Sequence, residues 1–412
     1  MPETAERETE AAEERYSRQI RFAPIGAEGQ RRLRESSVLI VGVGALGSSL
    51  AMQMARAGVG TLKLADRDYV EPSNLQRQSL FDEEDARSAL PKAVAAAARL
   101  RRINGAVRVE PYVTEVNSRT ADALLEGVGL VLDGTDNART RIALSDACFA
   151  KGIPLLYGGV TGSEATGAAL VPGETACLRC LIGGEEAAEP ERTCETAGVI
   201  YPAVEFAASL QAAEALKWLT GNRSALRRTW LTADVWDFRV REAGLPGGRR
   251  ECPYCGEGAL RAPSGVGACR SQEPRIEPGA ETGCGGDDPG YERDGRGPAG
   301  DEPGFAEDGP GAPMTTALCG RDTIQVTTGW ELSLRQGEER LRARGCELTA
   351  SNPYLVRATV PEGERLVLFG DGRVLVQGAA DAGRAVGLCR KYLMDRAETE
   401  RGNGRSEKSD EH

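Results

Sequence analysis

Apolar residues along this chain come in short bursts with different rhythms. The run Val38-Leu39-Ile40-Val41 is unbroken, as in a strand covered on both faces, and leads straight into Gly42-Val43-Gly44-Ala45-Leu46-Gly47. The alanine-rich stretch Ser48 to Ala57 reads as a helix, and a second apolar run from Thr61 to Ala65 ends on Asp66. A strand, a G-x-G-x-x-G turn, a helix and a strand, with an acidic residue about 20 positions further on, form a nucleotide-binding fingerprint. The glycines let the backbone turn tightly and approach a phosphate, and the helix start offers unpaired N–H groups. NAD, FAD and ATP all satisfy it, and a plain structural turn has the same pattern.

Further along, Leu130-Val131-Leu132 predicts another strand. From Val204 to Thr220, apolar positions Val204, Ala208, Ala212, Ala215 and Leu219 share one helical face, and Gly221 is the stop. Trp230 to Val240 alternates as a strand does. From Gly256 to about Pro313 the sequence turns to Gly, Pro, Asp and Glu, the composition of a flexible linker. Apolar patterning then resumes in Leu318 to Thr327, a helical stretch near Glu331 to Arg344, Pro353 to Val360, Arg365 to Val376 and a closing helix from Ala379 to Met394. Asp371-Gly372 between two apolar runs is a hairpin signal. The expected organisation is a disordered tail over 1–14, an α/β unit over 15–256, a disordered linker over 257–313, a small α+β module over 314–396 and a second disordered tail over 397–412. The α/β unit is expected to be a Rossmann-like doubly wound sheet with its nucleotide site at the strand carboxyl ends.

Composition narrows the chemistry. The 412 residues carry a formal charge of −11 and no basic tract, which argues against a nucleic-acid partner. No apolar run reaches the length of a membrane span and the first residues are acidic and polar, so the expected location is the cytoplasm, with no membrane partner. The one histidine is His412, which removes imidazole-based catalysis from consideration. Of the 11 cysteines, Cys177-Leu178-Arg179-Cys180 and Cys252-Pro253-Tyr254-Cys255 form two C-x-x-C knuckles, the pattern of a four-thiolate zinc site. With every position taken by cysteine there is no room for an activated water, so the reading is structural zinc; redox-active pairs are the alternative.

Asp66 and Asp68 stand at the carboxyl end of a predicted parallel strand, where a carboxylate can accept from ribose hydroxyls. Asn74, Arg77 and Gln78 follow on a loop or short helix over the same crevice, and Lys92 opens the helix Pro91 to Arg102. Arginine forks match phosphate oxygens and lysine adds a point charge. This cationic and amide chemistry suits a triphosphate better than a nicotinamide dinucleotide. Arg15 and Arg18, three apart, share a face of a short helix that leads to the first strand.

Arg15-Tyr16-Ser17-Arg18-Gln19, the glycine turn, Ser73-Asn74-Leu75-Gln76-Arg77-Gln78, Lys92 and Asp133-Gly134-Thr135-Asp136-Asn137 resemble, in order and spacing, the E1-like adenylyltransferases of the ThiF/MoeB/HesA family. The likeness covers roughly residues 15 to 256; Ala45 departs from it, where the family usually has glycine. The resemblance implies ATP-dependent adenylation of the C-terminal Gly-Gly carboxylate of a small ubiquitin-like sulfur carrier. It assigns the ribose to Asp66 and the phosphates to Asn74, Arg77, Gln78 and Lys92, beside the turn Gly42, Gly44, Ala45 and Gly47. It also assigns magnesium to Asp136, an Arg18 supplied across a homodimer, and a sulfur-transfer thiol to Cys194, although the glutamates around that cysteine oppose a low thiolate pKa. A sulfur donor, a cysteine desulfurase or a rhodanese, would be a further partner. The small C-terminal module, with Leu318-Cys319-Gly320-Arg321-Asp322, resembles the extension of some Gram-positive ThiF-type proteins and inclines the carrier toward thiamine thiazole synthesis; a MoaD-like carrier for molybdopterin is the alternative. Cys319, Cys346 and Cys389 read as structural, because the arginine-rich cysteine loop of a rhodanese is absent. Two other classes stay open: an NAD-dependent oxidoreductase with structural zinc, and a carrier-binding scaffold without catalysis.

Overall fold

The computed structural model describes residues 14–183, 197–256, 314–318, 323–327 and 332–394. The expected linker, most of both expected tails, Cys194, Cys269, Cys284 and Cys319 lie outside these residues. Among the described residues, no helix is long and apolar enough to cross a membrane.

Helices α1 (14–21) and α2 (Gly26–Glu35) precede strand β1 (Ser37–Val41). The chain continues through α3 (Ala45–Ala57), β2 (Thr61–Asp66), α4 (Glu83–Arg87), α5 (Lys92–Ile103), β3 (Arg108–Val113), α6 (Ala121–Leu124), β4 (Leu130–Asp133) and α7 (Ala138–Lys151). It then runs through β5 (Leu155–Thr161), β6 (Glu164–Leu170), α8 (Leu178–Ile182), α9 (Tyr201–Leu219), β7 (Thr229–Asp234) and β8 (Arg239–Gly244). The strands form one sheet in the order β3-β2-β1-β4-β5-β6-β7-β8. It is parallel from β3 to β5 and antiparallel beyond.

The unbroken apolar run of β1 is explained by cover on both sides. Val38 and Ile40 belong to a core with Leu50 and Met54 of α3, Leu100 of α5 and Ala212 of α9. Leu39 and Val41 point the other way, to Leu124 of α6 and Leu144 and Phe149 of α7. Each such fully buried aliphatic side chain stabilises the fold by roughly 1.5–3 kcal/mol. All five residues expected on one face of the helix after position 200 are buried along α9.

Trp230 to Val240 forms a hairpin, not the single strand expected. Asp234 halts β7: its carboxylate accepts from Ser163 Oγ at 2.8 Å, Trp236 N at 2.9 Å and Asp237 N at 3.3 Å. Phe238 then takes a φ of 52°, the left-handed region, and the chain returns as β8.

A second, six-stranded antiparallel sheet follows. Its strands are β9 (Met314–Leu318), β10 (Thr323–Thr327), β11 (Glu347–Ser351), β12 (Leu355–Thr359), β13 (Arg365–Phe369) and β14 (Arg373–Gln377), in the order β11-β12-β13-β14-β10-β9. The Asp371-Gly372 turn joins β13 to β14 with Gly372 at φ 85°, and Asp371 accepts from Arg373 N. Helices α10 (Leu334–Ala343) and α11 (Ala382–Leu393) cover one face, with Leu341, Leu388 and Tyr392 against Val356, Leu366 and Val376. The opposite face closes over the larger unit: Leu355, Val367, Phe369 and Leu375 pack with Tyr69 and Ala89. Asn352 Nδ2 donates to Ser88 O at 3.0 Å, and Gln377 Nε2 to Glu71 Oε1 at 3.3 Å. Cys346 and Cys389 are buried in the module's own core, in line with a structural reading.

Candidate active site

The carboxyl ends of β1, β2 and β4 meet at the glycine turn. Gly42 has a φ of 78° and donates to Ala65 O at 2.8 Å, while Gly134 donates to Val41 O at 2.8 Å. A Cβ on Gly47 would lie 1.8 Å from Gly42 O, and one on Gly42 would lie 2.7 Å from Gly134 O. Only glycines let α3, β1 and the loop after β4 approach this closely. Gly47 is thus a packing residue inside α3 that does not face the crevice. Ala45 starts that helix and is absent from the residues with positive φ, so the methyl group in place of the family's glycine is accommodated.

In front of the turn lies a cavity of about 380 Å³. It is lined by Gly42, Gly44, Ala45, Asp66, Arg77, Gln78, Lys92 and Asp136, eight of the residues singled out in the sequence. Asp66 Oδ2 accepts from Val43 N at 2.6 Å and Oδ1 from Asp68 N at 2.7 Å. Burial raises its pKa above the ordinary carboxylate range, against the lowering effect of Lys92. Lys92 is itself buried, with Nζ 3.2 Å from Asp68 Oδ2. Arg77 Nη1 donates to Ser73 O at 2.9 Å, and Gln78 has a buried Oε1 without a hydrogen-bond partner.

Besides Gly47, two expected residues stand outside the cavity lining. Asn74 is fully buried beneath the loop, its Oδ1 accepting from Glu71 N at 3.1 Å, and it does not line the cavity; its Nδ2 is buried and unpartnered. Arg18 is exposed on α1, with Nη1 3.3 Å from Ser17 Oγ, and is not part of its own chain's cavity. Cys194, as noted, falls outside the described residues.

On the far wall, Asn137 is the N-cap of α7, its side chain accepting from Thr140 N. Asp136 therefore does not cap the helix; it is exposed and lines the cavity, a carboxylate suited to a magnesium ion. Behind it, Asp133 and Arg141 form a buried pair that the sequence reading gave no role. Asp133 Oδ1 accepts from Thr135 N and Oγ1, and Oδ2 lies 3.6 Å from Arg141 Nε. Arg141 also donates to Tyr157 Oη at 3.0 Å and to the carbonyls of Thr135 and Gly158, and it lines the cavity.

The four knuckle cysteines converge at the rear. Their sulfurs lie within 4.8 Å of one another, with Cys177 Sγ 3.7 Å from Cys252 Sγ and Cys180 Sγ 3.7 Å from Cys255 Sγ. Zinc–thiolate bonds of about 2.3 Å in a tetrahedron put sulfurs about 3.8 Å apart, so the set fits a zinc ion. The knuckle is tied to α7: Leu178 N donates to Ser145 Oγ at 3.0 Å, and Arg179 pairs with Asp146 at 2.6 Å.

Comparisons with known proteins agree with this architecture. The model of the ThiF family matches residues 16–254. The sulfur carrier protein ThiS adenylyltransferase of Bacillus subtilis is 37% identical over 390 residues, spanning 92% of this chain and 99% of that protein. The SAMP-activating enzyme E1 of Haloferax volcanii is 38% identical over 249 residues, spanning 60% and 90%. Among solved structures, Escherichia coli MccB shares the fold with a TM-score of 0.51 at 23% identity, covering 61% of this chain and 74% of that one. With the family model matching more than half of its length, around a crevice at the strand ends and backed by four clustered cysteines, the chain belongs to the ThiF family of E1-like adenylyltransferases.

Proposed function

We propose that this enzyme adenylates the C-terminal Gly-Gly carboxylate of a ThiS-like sulfur carrier, activating it for thiocarboxylate formation in thiamine thiazole synthesis. The observation that carries the reading is the crevice itself, where Asp66, Arg77, Gln78, Lys92 and Asp136 line one cavity at the strand ends. Support for the ThiS-like carrier comes from the match to the Bacillus subtilis enzyme, which runs through the C-terminal module.

In this reaction a carrier carboxylate oxygen bonds to the α-phosphorus of ATP. The bond from that phosphorus to the bridging oxygen breaks, and pyrophosphate leaves with the electron pair. Two anions must be held in contact, so the protein's work is positioning and charge neutralisation. Asp66 accepts from the ribose hydroxyls, while Lys92, Arg77 and Gln78 hold the phosphates. Asp136 would hold magnesium, whose charge offsets that of the phosphates. Arg18, exposed on α1, reaches the crevice of a partner subunit in a homodimer. Cys194 serves the later sulfur transfer from a donor such as a cysteine desulfurase or a rhodanese, and adenylation does not need it.

The test is exchange of labelled pyrophosphate into ATP with magnesium, in the presence of ThiS-like or MoaD-like carriers ending in Gly-Gly. Exchange driven by the ThiS-like protein, retained in Cys194→Ala, is the expected result. Exchange driven only by a MoaD-like carrier overturns the thiazole assignment, and exchange with neither overturns the function.

A further inference from the structure

The C-terminal sheet reaches the nucleotide cavity through a line of polar contacts. Gln325 sits in the middle of β10, is 2% exposed, and donates from Nε2 to Glu115 Oε2 at 3.2 Å across 210 positions of sequence. Glu115 Oε1 in turn lies 2.7 Å from Arg67 Nη1. Arg67 Nε is 3.8 Å from Asp68 Oδ1, and Asp68 Oδ2 meets Lys92 Nζ at 3.2 Å. Glu115, Arg67, Asp68 and Lys92 all line the cavity. Gln325 lies opposite Leu375 on the sheet face that packs on the larger unit, where burying a glutamine costs desolvation, and its amide is aimed at a cavity carboxylate.

We propose that the C-terminal module is a working part of the ATP site: Gln325 holds Glu115, Glu115 fixes the direction of Arg67 on the cavity wall, and the module thereby sets ATP affinity. Gln325 and Glu115 are positioning residues, acting on ATP through Arg67 and the Asp68–Lys92 pair. This rests on the reading of the cavity as an ATP site but not on the identity of the carrier. The charges alternate along the line, so a change in one partner redirects the next. Without Gln325, Glu115 loses its tether to the second sheet, and the cavity-lining Arg67 that pairs with it is held less firmly.

The experiment is calorimetric titration of the full-length enzyme with ATP and magnesium, without carrier, for wild type, Gln325→Ala, Gln325→Glu and Asn352→Ala. Because Gln325 acts at one remove from the ligand, Gln325→Ala predicts about a three- to tenfold rise in the Kd of ATP, less than the loss of a direct hydrogen bond to a charged group. Gln325→Glu sets a second carboxylate against Glu115 and raises the Kd at least as far. Asn352→Ala breaks a contact of the module with Ser88 and Ala89 outside the polar line and leaves the Kd unchanged. Melting temperatures of the four proteins separate loss of fold from loss of affinity. An unchanged Kd in folded Gln325→Ala, or an equal rise in Asn352→Ala, overturns the proposal. Absence of ATP binding by the wild type overturns the reading of the cavity beneath it.

Discussion

Two buried aspartates end the strands on either side of β1, and they are partnered in opposite ways. Asp66, at the end of β2, is held by two backbone N–H groups, and its neighbourhood opens into the cavity. Asp133, at the end of β4, is wholly buried, with Thr135 and the Arg141 guanidinium as its partners. Burial raises the pKa of both, with Lys92 opposing it at Asp66 and Arg141 opposing it at Asp133. The difference shows how one strand-end position can open onto a cavity in one case and close into the scaffold in the other. Replacing by an amide a carboxylate held by two backbone N–H groups leaves one donor without its acceptor, whereas replacing one paired with a buried cation strands a whole charge, the larger cost.

The largest test of that contrast is removal of zinc. The knuckle grips α7 through Ser145 and Asp146, on the Asp133 side of the site. Structural zinc is worth on the order of 10 kcal/mol, so chelation should release α7 amides to hydrogen exchange well before those of α3. Equal loss of protection in both helices would break the division. Next in size, Asp133→Asn strands the Arg141 cation and should cost about 3–5 kcal/mol in urea denaturation. Asp66→Asn keeps one acceptor oxygen for two backbone N–H donors, so it should cost about 1–3 kcal/mol, less than Asp133→Asn, while raising the Kd of ATP by about tenfold or more, the scale of one or two hydrogen bonds to an ion. If Asp66→Asn unfolds the protein and Asp133→Asn does not, the assignments are reversed.

The same variant carries a pH signature. With its pKa raised in the folded state, Asp66 binds a proton there that the unfolded chain has released. Its contribution to stability is present below the ordinary carboxylate range and is lost as pH rises through the folded value. The wild-type curve of urea midpoint against pH should therefore fall over that window relative to Asp66→Asn, and parallel curves would remove the burial argument. The smallest effect is expected at the turn between the two strand ends. Ala45→Gly should cost no more than about 1 kcal/mol of helix propensity and leave ATP affinity unchanged, as measured by the same titrations.

Much of the parallel half of the fold could be read from the residues, because local pattern and tertiary role coincide there. The apolar run of β1, the glycine turn and Asp66 lie within thirty residues of one another, and C-x-x-C knuckles bring their spacing with them. What escaped depends on partners remote in sequence or on turns without the usual residues. Glu115 acquires its place only when Gln325 arrives from the second sheet. Arg141 could be recognised as part of the site only with Asp133 and Tyr157 around it. Asn74 carries the right chemistry but turns inward to serve Glu71, a choice of rotamer that no spacing reveals. The hairpin between β7 and β8 turns on Val235-Trp236-Asp237-Phe238, which has no glycine or proline, and the Asp234 carboxylate does the work of a turn residue.

The second sheet is filled on both faces, by its own helices on one side and by Tyr69 and Ala89 on the other. That has a consequence for how the protein is made. Synthesis completes the first 256 residues before the strands that cover Tyr69 and Ala89 exist, so the nascent enzyme carries an open apolar patch beside its newly formed crevice until the last strands and helix emerge. A release of the chain ahead of residue 314 would leave that patch without its cover, and the cell would meet the product as a client for chaperones and proteases.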